Sequence, residues 1–283
     1  MAGDDNAALK SKVKDHWEAE TCGTRYGSNT DRLRYFEEIS TARYRLEPFI
    51  PAFADFRSST DKHVLEIGVG TGTDFENWCE FASHATGVDL TGNAVSLTKE
   101  RLNLNSIPPK KYSLLATDAE NLPFADCSFD IVYSWGVLHH TPNTARAFRE
   151  AYRVLRPGGT IKAMIYHHPS WTGLMLYIRF ALATGQISKS VRRIIYEHLE
   201  SPGTKVYESY EANELLSKIG FSDIKLTTKL GPGDLLIIKP SKKYQGAFFR
   251  AVWTVYPRWL IRLIGHRYGL ALLITARKPK HDA

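Results

Sequence analysis

The chain has 283 residues and a mass of 32.0 kDa, which suits one large domain and excludes a small disulfide-stapled fold. Its 43% hydrophobic and 24% charged residues indicate a globular protein with a buried core and exclude a disordered or fibrous chain. Three cysteines are present, at spacings that suit neither a disulfide framework nor a zinc ribbon. We therefore expect a reducing, cytoplasmic environment, and the amino-terminal sequence has no apolar run typical of a secretory signal.

The net charge of +7 is unevenly distributed along the chain. Residues 1–169 carry 19 basic and 22 acidic side chains, whereas residues 170–283 carry 18 and 8. Within the second part, residues 239–283 hold ten Lys or Arg and a single acidic residue, Asp282. The excess positive charge therefore belongs to the carboxyl-terminal part of the chain.

A helical segment is predicted over roughly residues 5–50, followed by a regular alternation of strands and helices from about residue 62 to 166. The alternation predicts βαβ units and therefore a parallel sheet with helices on both faces. In chain order the predicted strands are HVLEIG, ATGVDL, YSLLAT, FDIVYSW and TIKAMIYH, and the helices between them are TDFENWCEFA, NAVSLTKERLNL and TARAFREAYRVLR.

The last third of the sequence is less regular. It begins with an apolar stretch, PSWTGLMLYIRFALATG, and continues with a polar loop, a helix EANELLSKIG and a strand FSDIKLTT. The longest run there without a charged residue, 163–178, is shorter than the roughly 20 apolar residues that span a bilayer. We therefore predict no transmembrane helix.

The most informative segment runs from Val64 to Asp89. An apolar strand enters a loop with three glycines, Gly68, Gly70 and Gly72, and Asp89 ends the next predicted strand. Glycines allow a tight turn and a close approach to a ligand, and an acidic residue after the second strand can bind ribose hydroxyls. The glycine spacing differs from the dinucleotide pattern, and Asp74 at the start of the next helix would repel a pyrophosphate. These features predict a nucleoside-type cofactor at the carboxyl edge of the sheet.

Four motifs in order resemble those of class I S-adenosylmethionine-dependent methyltransferases, in particular the quinone-biosynthesis-like, type 11 branch. They are EIGVGTG at 66–72, DAENLPF at 118–124, SFDIVYSWGVLHH at 128–140 and VLRPGG at 154–159. The resemblance implies an α/β fold with a doubly wound, mostly parallel seven-stranded sheet. It also implies S-adenosylmethionine as cofactor and S-adenosylhomocysteine as product.

Carried over position by position, the resemblance implies a set of cofactor-binding residues. Gly68, Gly70 and Thr71 would line the methionine moiety, together with Gly72. Asp89 would bind the ribose. The remaining implied contacts are Leu90 against the adenine, Asp118 to its amino group, Ala119 through its backbone N–H, Ser134 through its backbone, and Tyr26 folded over the cofactor.

Histidines follow the fourth and fifth predicted strands, where loops should converge on the cofactor. His140 and His139 are candidate catalytic bases for a phenol or enol, although each could instead order a loop by bonding to backbone. His167, Tyr207 and Tyr210 are candidate residues of the acceptor pocket. No metal site is predicted, because adjacent histidines do not easily bind one ion and no Cys or carboxylate stands at a helpful spacing.

The predicted acceptor is a small, hydrophobic or aromatic molecule, methylated on oxygen or carbon. The segment typical of enzymes that methylate the exocyclic amines of bases would follow the fourth strand, where this chain has SWGV. The single nearby cysteine, Cys127, precedes that strand, which disfavours cytosine-carbon methylation. We therefore expect no nucleic-acid partner. Two alternatives stay open: a non-catalytic cofactor-binding regulatory or scaffold module, and an RNA-associated methyltransferase that uses the basic tail.

The basic, aromatic segment from Lys239 onward has three interpretations beside plain core packing. It can form a helical cap over the acceptor pocket, a peripheral contact with anionic lipid, or a nucleic-acid surface. We expect Trp253, Tyr256, Trp259, Leu260 and Leu263 to share one face of a helix pair broken at Pro257. The predicted organisation is then an amino-terminal segment over the cofactor site (1–55), a cofactor-binding core (56–168) and an acceptor-side region with the cap (169–283).

Overall fold

The computed structural model describes residues 2–238 and 256–280, apart from the side chains of residues 2–4 and Ile264. Their strands form a single seven-stranded sheet in the order β3-β2-β1-β4-β5-β7-β6. Only β7 is antiparallel to its neighbours β5 and β6. The predicted class, a doubly wound and mostly parallel seven-stranded sheet, is confirmed. The strands are β1 (His63–Ile67), β2 (His84–Asp89), β3 (Tyr112–Ala116), β4 (Phe129–Trp135), β5 (Leu155–Tyr166), β6 (Ser222–Lys229) and β7 (Ala271–Arg277).

Ten α-helices are present in the described ranges. They are α1 (Ala2–Ala19), α2 (Arg32–Leu46), α3 (Ile50–Ala54), α4 (Thr73–Phe81), α5 (Gly92–Leu104), α6 (Thr144–Val154), α7 (Trp171–Tyr177), α8 (Val191–His198), α9 (Ser209–Ile219) and α10 (Arg258–Ile264). Thr24–Tyr26 and Leu138–His140 form short 3₁₀ turns, and a π-helix, Ile178–Leu182, continues α7.

Local sequence explains where these helices begin. The side chains of Asp31, Thr91 and Asn143 accept hydrogen bonds from the first free N–H groups of α2, α5 and α6. Glu208 and Glu211 form a capping box at the start of α9, and that helix ends at Gly220 with φ of 113°.

The core lies on both faces of the sheet. One cluster packs α6 and α9 against the sheet, and the other packs α3 and α4 against the opposite face. Leu65 and Ile67 of β1 belong to the first cluster and Val64 to the second, as expected for a strand covered on both sides. The parallel strands therefore bring their carboxyl ends, and the loops that follow, to one edge of the sheet.

The carboxyl-terminal segment only partly follows its prediction. Trp253 lies outside the described residues, and α10 begins directly after Pro257 as expected. Trp259 and Leu263 are each 70% exposed, so they are not packed as walls of an enclosed pocket. Within the described ranges, no helix combines the length and the hydropathy needed to cross a bilayer.

Candidate functional site

The glycine loop after β1 is tightly constrained at one position and open at another. Gly68, Gly70 and Gly72 have φ of 88°, 54° and 76°, values that residues with side chains rarely adopt. A Cβ at Gly68 would lie 2.1 Å from Cγ2 of Val137, so the loop passes directly against the chain that follows β4. At Gly70 the nearest atom to such a Cβ is the carbonyl oxygen of Cys22, at 3.7 Å. The loop thus leaves its backbone accessible at Gly70.

Asp89 ends β2 and holds the glycine loop in place. Its Oδ2 accepts a hydrogen bond from the N–H of Gly70 at 3.1 Å, and Oδ1 accepts from the N–H and hydroxyl of Thr91 at 3.0 and 2.9 Å. Burial raises the pKa of this carboxyl, against the effect of those bonds. Each carboxylate oxygen has more than one lone pair, so Asp89 can still accept from a ligand hydroxyl.

Glu66, in β1, is a buried acceptor without a partner. Glu66 is only 3% exposed, and its Oε2 has no hydrogen-bond partner among the described residues. Burial and the neighbouring carboxylates of Asp74 and Asp89 raise its pKa well above the ordinary range. A buried, unpaired carboxyl next to the glycine loop suits a ligand that brings a positive charge or an N–H donor.

Asp74, at the start of α4, is engaged by the protein itself. Its carboxylate accepts from Nε of Arg43 at 2.9 Å and from the hydroxyls of Tyr44 and Tyr133 at 3.1 and 2.8 Å. Arg43 neutralises this carboxylate, so Asp74 repels an anionic ligand less than its position at the helix start predicts. Asp74 therefore ties α2 and β4 to α4.

The first helix lies across the cofactor edge. Nζ of Lys10 is 2.5 Å from Oδ2 of Asp118 and 3.0 Å from Oε2 of Glu120, in the loop after β3. Further along α1, Oε1 of Glu18 accepts from the N–H of Asn93 at 3.2 Å, after β2. The helix thus connects two of the loops that the resemblance assigns to the cofactor.

The other predicted cofactor residues lie at the same edge, with one exception. Ser134 is fully buried, and its hydroxyl donates to the carbonyl of Ile67 at 3.0 Å, which joins the ends of β4 and β1. Ala119 is buried beside Asp118, and Leu90 follows Asp89 and is half-buried. The ring of Tyr26 instead lines a cleft of about 450 Å³ against α2. The backbone at Cys22 and Gly23 lies against the glycine loop.

His139 is fully buried in the 3₁₀ turn after β4. Its ring centroid lies 4.1 Å from that of Tyr166 and 4.2 Å from that of His140. Neither ring nitrogen has a hydrogen-bond partner among the described residues. Burial, with the neighbouring His140 and Lys205, holds its pKa well below the ordinary value, so the ring is neutral.

His140 is held by hydroxyls on one ring nitrogen only. Its Nδ1 lies 2.8 Å from Oγ of Ser201 and 3.1 Å from Oγ1 of Thr204. The Thr204 hydroxyl donates to backbone carbonyls, so its oxygen is free to accept from Nδ1–H. That tautomer leaves a lone pair on Nε2, which has no hydrogen-bond partner in the described part of the chain and lies 3.5 Å from Oε2 of Glu200. A proton taken up at Nε2 would face a carboxylate.

The three predicted pocket residues behave differently from one another. His167 is 5% exposed, and its Nδ1 donates to the carbonyl of Gly269 at 3.1 Å; burial lowers its pKa. The N–H of Tyr207 donates to the carbonyl of Tyr166 at 2.9 Å, which extends the sheet beyond β5. Tyr210 is 63% exposed on α9. The structure therefore does not bring Tyr210 together with the histidines.

Several site residues escaped the sequence analysis, among them Glu66, which stands in the first motif but had no role assigned, and Lys10, Glu200 and Tyr166. Lys10 contacts Asp118 across 108 residues of sequence, and Glu200 approaches His140 across about 60. No local pattern marks either residue. Tyr166 donates its hydroxyl to Oε2 of Glu200 at 2.8 Å. Its place at the end of β5, directly before His167, was a usable signal.

The sequence is similar to known methyltransferases over its central part. Residues 65–162 match the family described as "Methyltransferase domain". The Caenorhabditis elegans protein named phosphoethanolamine N-methyltransferase 2 is 36% identical over 118 residues, covering 41% of this chain and 26% of that protein. The ubiquinone/menaquinone biosynthesis C-methyltransferase UbiE of Bartonella henselae is 36% identical over 99 residues, covering 34% and 38%. The match thus spans well under half the length of these curated relatives.

Solved structures share the fold over nearly the whole chain. One is a chain of the complex between the Haloferax volcanii Trm112 methyltransferase activator and the putative methyltransferase, with a TM-score of 0.65 at 17% identity, covering 96% of this chain and 99% of that one. Another is the [4+2]-cyclase SpnF, with a TM-score of 0.55 at 17% identity, covering 96% and 93%. Residues 65–162 are thus similar to a methyltransferase domain, and the chain shares the fold of these solved structures.

Proposed function

We propose that this protein transfers the methyl group of S-adenosylmethionine to a small, hydrophobic or aromatic acceptor. One observation carries the proposal: the glycine loop, Asp89 and the unpaired Oε2 of Glu66 form a single acidic edge. Such an edge suits a cofactor that carries a sulfonium and an amino group, and it disfavours a phosphate. The residues present therefore fit S-adenosylmethionine.

Different residues of the site would bind different parts of the cofactor. Glu66 would accept from the amino group of the methionine part, which lies along Gly68, Gly70 and Thr71. Asp89 would accept from the ribose hydroxyls. The loop after β3 would hold the adenine, with Asp118 accepting from its amino group once Lys10 has moved away.

The chemistry that the protein has to supply is alignment and, for some acceptors, removal of a proton. When bound, S-adenosylmethionine supplies a methyl group whose carbon–sulfur bond breaks as the acceptor atom bonds to that carbon, which leaves S-adenosylhomocysteine. Nε2 of His140 would take the acceptor's proton, because Nδ1 is occupied by Ser201 and Thr204. The carboxylate of Glu200 then stabilises the imidazolium that forms.

Rings around the end of β5 favour an aromatic or apolar acceptor. The ring centroid of Trp17, on α1, lies 5.5 Å from that of His140, and the centroid of Tyr166 lies 5.8 Å from it on another side. Aromatic side chains of this kind offer flat apolar surfaces to a planar molecule.

The proposal is tested with cofactor labelled in its methyl group. Calorimetry measures cofactor binding, and a panel of quinols, phenols and lipophilic metabolites is screened for transferred label, with transfer RNA and ribosomal RNA included. We expect saturable binding and label on one small-molecule class. Binding without transfer to any acceptor would favour the non-catalytic alternative, because the cyclase SpnF shows that this fold is not confined to proteins named as methyltransferases. Label on RNA alone would overturn the predicted acceptor class.

A further inference from the structure

An apolar face is left exposed where α7 and α10 meet. Thirteen large hydrophobic side chains are exposed in the described parts of the chain, and eight of them lie in two short segments, residues 171–187 and 256–268. We call these eight side chains the apolar face: Leu174, Ile178, Leu182, Ile187, Trp259, Leu260, Leu263 and Tyr268. Scattered single hydrophobic residues are normal on a protein surface, but a concentration of this kind marks an interaction site.

One part of the apolar face is a stripe along α7 and the π-helix. Leu174, Ile178 and Leu182 follow one another at four-residue intervals and are 45%, 48% and 52% exposed. The other side of the same segment is already filled, because Leu176 and Ala181 pack in a buried cluster with α8. The segment is thus apolar on both sides, whereas a helix on a globular surface normally has a polar outer side.

The second part is the outer side of α10. Trp259 and Leu263, one turn apart, are each 70% exposed, whereas Ile261 between them is 3% exposed and anchors the helix. The two parts touch through Trp171, at the start of α7, whose ring meets that of Tyr268 edge-on with centroids 6.1 Å apart. The two parts of the apolar face are therefore neighbours in the structure.

The charge of the two segments that carry the apolar face indicates the kind of partner that binds there. Residues 171–187 and 256–268 contain four arginines, Arg179, Arg258, Arg262 and Arg267, and neither Asp nor Glu. Arg262 and Arg267 are exposed beside the apolar side chains. Exposed Trp and Leu flanked by Arg, with no acidic residue, is the pattern of helices that lie in the interface of a membrane with anionic lipids.

We propose that the apolar face docks on the surface of a membrane that contains anionic lipid. Trp259, Leu263 and the stripe along α7 enter the boundary between headgroups and acyl chains, and the exposed Arg262 and Arg267 contact lipid phosphates. Since no helix in the described ranges is suited to span a bilayer, this contact is peripheral. The proposal goes beyond methyl transfer and is tested by binding, so it can fail or succeed whatever the acceptor is.

The test is flotation of the full chain with vesicles of phosphatidylcholine containing about 30% phosphatidylglycerol, compared with vesicles of phosphatidylcholine alone. We expect the wild-type protein to float with the anionic vesicles and less with the neutral ones. Two double variants, Ile178→Ser with Leu182→Ser and Trp259→Ser with Leu263→Ser, should each reduce the bound fraction at least about fivefold. The matched control replaces Leu104 and Leu115, each 42% exposed elsewhere, by Ser and should float like wild type.

A charge variant keeps the proposal testable if the apolar substitutions disturb folding. Arg262→Glu should lower binding to anionic vesicles several-fold, and Arg34→Glu, the same change at an exposed position on α2, should not. Wild type that fails to float, or face variants that float as well as wild type, would overturn the proposal. Light scattering that shows a wild-type dimer, dissociated by the same face variants, would also overturn it, because a second copy would then cover the face.

Discussion

The ammonium of Lys10 lies 2.5 Å from a carboxylate oxygen of Asp118, the residue that would accept the adenine amino group. The two partners belong to α1 and to the loop after β3, so this ion pair closes the amino-terminal helix over one end of the proposed cofactor site. In the proposed binding mode, the cofactor and Lys10 would compete for one carboxylate. This competition leads to a direct test of where the adenine binds.

Replacing Lys10 by Met should make the protein bind S-adenosylmethionine more tightly and release it no faster, because Asp118 then has no ion pair to give up. A partly exposed ion pair is worth about 0.2–1 kcal/mol, which corresponds to an affinity gain of up to about fivefold. Calorimetry gives the affinity and stopped-flow fluorescence the release rate. Lys12→Met removes the same charge from an exposed position on the same helix and should leave both unchanged. Equal affinities for Lys10→Met and wild type would place the adenine away from Asp118.

Two glycines of the same loop should respond differently to substitution. In Gly68→Ala the new Cβ would lie 2.1 Å from Val137, at a φ of 88°, so we expect the free energy of unfolding to fall by about 2–4 kcal/mol. In Gly70→Ala the nearest atom is 3.7 Å away, so the cost is about 1 kcal/mol for the left-handed backbone alone. The new methyl group would nevertheless fill space that the cofactor needs, and binding should weaken at least tenfold.

Urea unfolding and calorimetric titration separate these two effects. Adding Val137→Ala to Gly68→Ala should restore part of the lost stability, because it removes the methyl carbons at 2.1 and 3.1 Å from the new Cβ and leaves only the Cβ of residue 137 at 3.0 Å. Cofactor binding by Gly70→Ala that equals wild-type binding would show that the methionine part does not lie along this loop.

How far the sequence predicts this molecule depends on how local each feature is. The parallel sheet follows from alternating patterns within about a hundred residues, and Asp89 is found because it ends a strand after a glycine loop. The ion pair between Lys10 and Asp118, and the approach of Glu200 to His140, depend on tertiary packing between distant segments. Neither leaves a trace in local periodicity. The exposure of Trp259 is also a tertiary property, since its own segment looks equally suited to packing in a core.

The buried carboxyl of Glu66 should make cofactor binding depend on pH. In the free protein its pKa is raised well above the ordinary value of about 4.3, so the carboxyl is protonated at pH values where an exposed Glu is charged. A cationic amino group binds the charged form better. Affinity should therefore be full above the raised pKa and weaken as the pH falls through it, in a pH range that lies above the one where an exposed Glu titrates.

The matched variants assign this pH dependence to a residue. Glu66→Gln cannot ionise, so it should bind more weakly than wild type at the upper end of the range and lose part of the slope. Asp89, whose pKa is also raised by burial, contributes in the same direction, and Asp89→Asn measures its share. A titration of Glu66→Gln that parallels wild type, offset by a constant factor, would exclude Glu66 as the titrating contact.

The role of His140 as a base can be separated from a role in packing. His140→Ala should lower kcat at least tenfold on the acceptor found by screening, while the Kd for S-adenosylmethionine changes less than about twofold. Thr204→Val removes the oxygen that accepts from Nδ1–H and, with it, part of the preference for a lone pair on Nε2, so kcat should fall, but less than in His140→Ala. Glu200→Gln removes the carboxylate that faces Nε2 and should lower kcat by a similar amount. If His140→Ala retains full kcat on an acceptor that must lose a proton, the ring only orders the loop after β4.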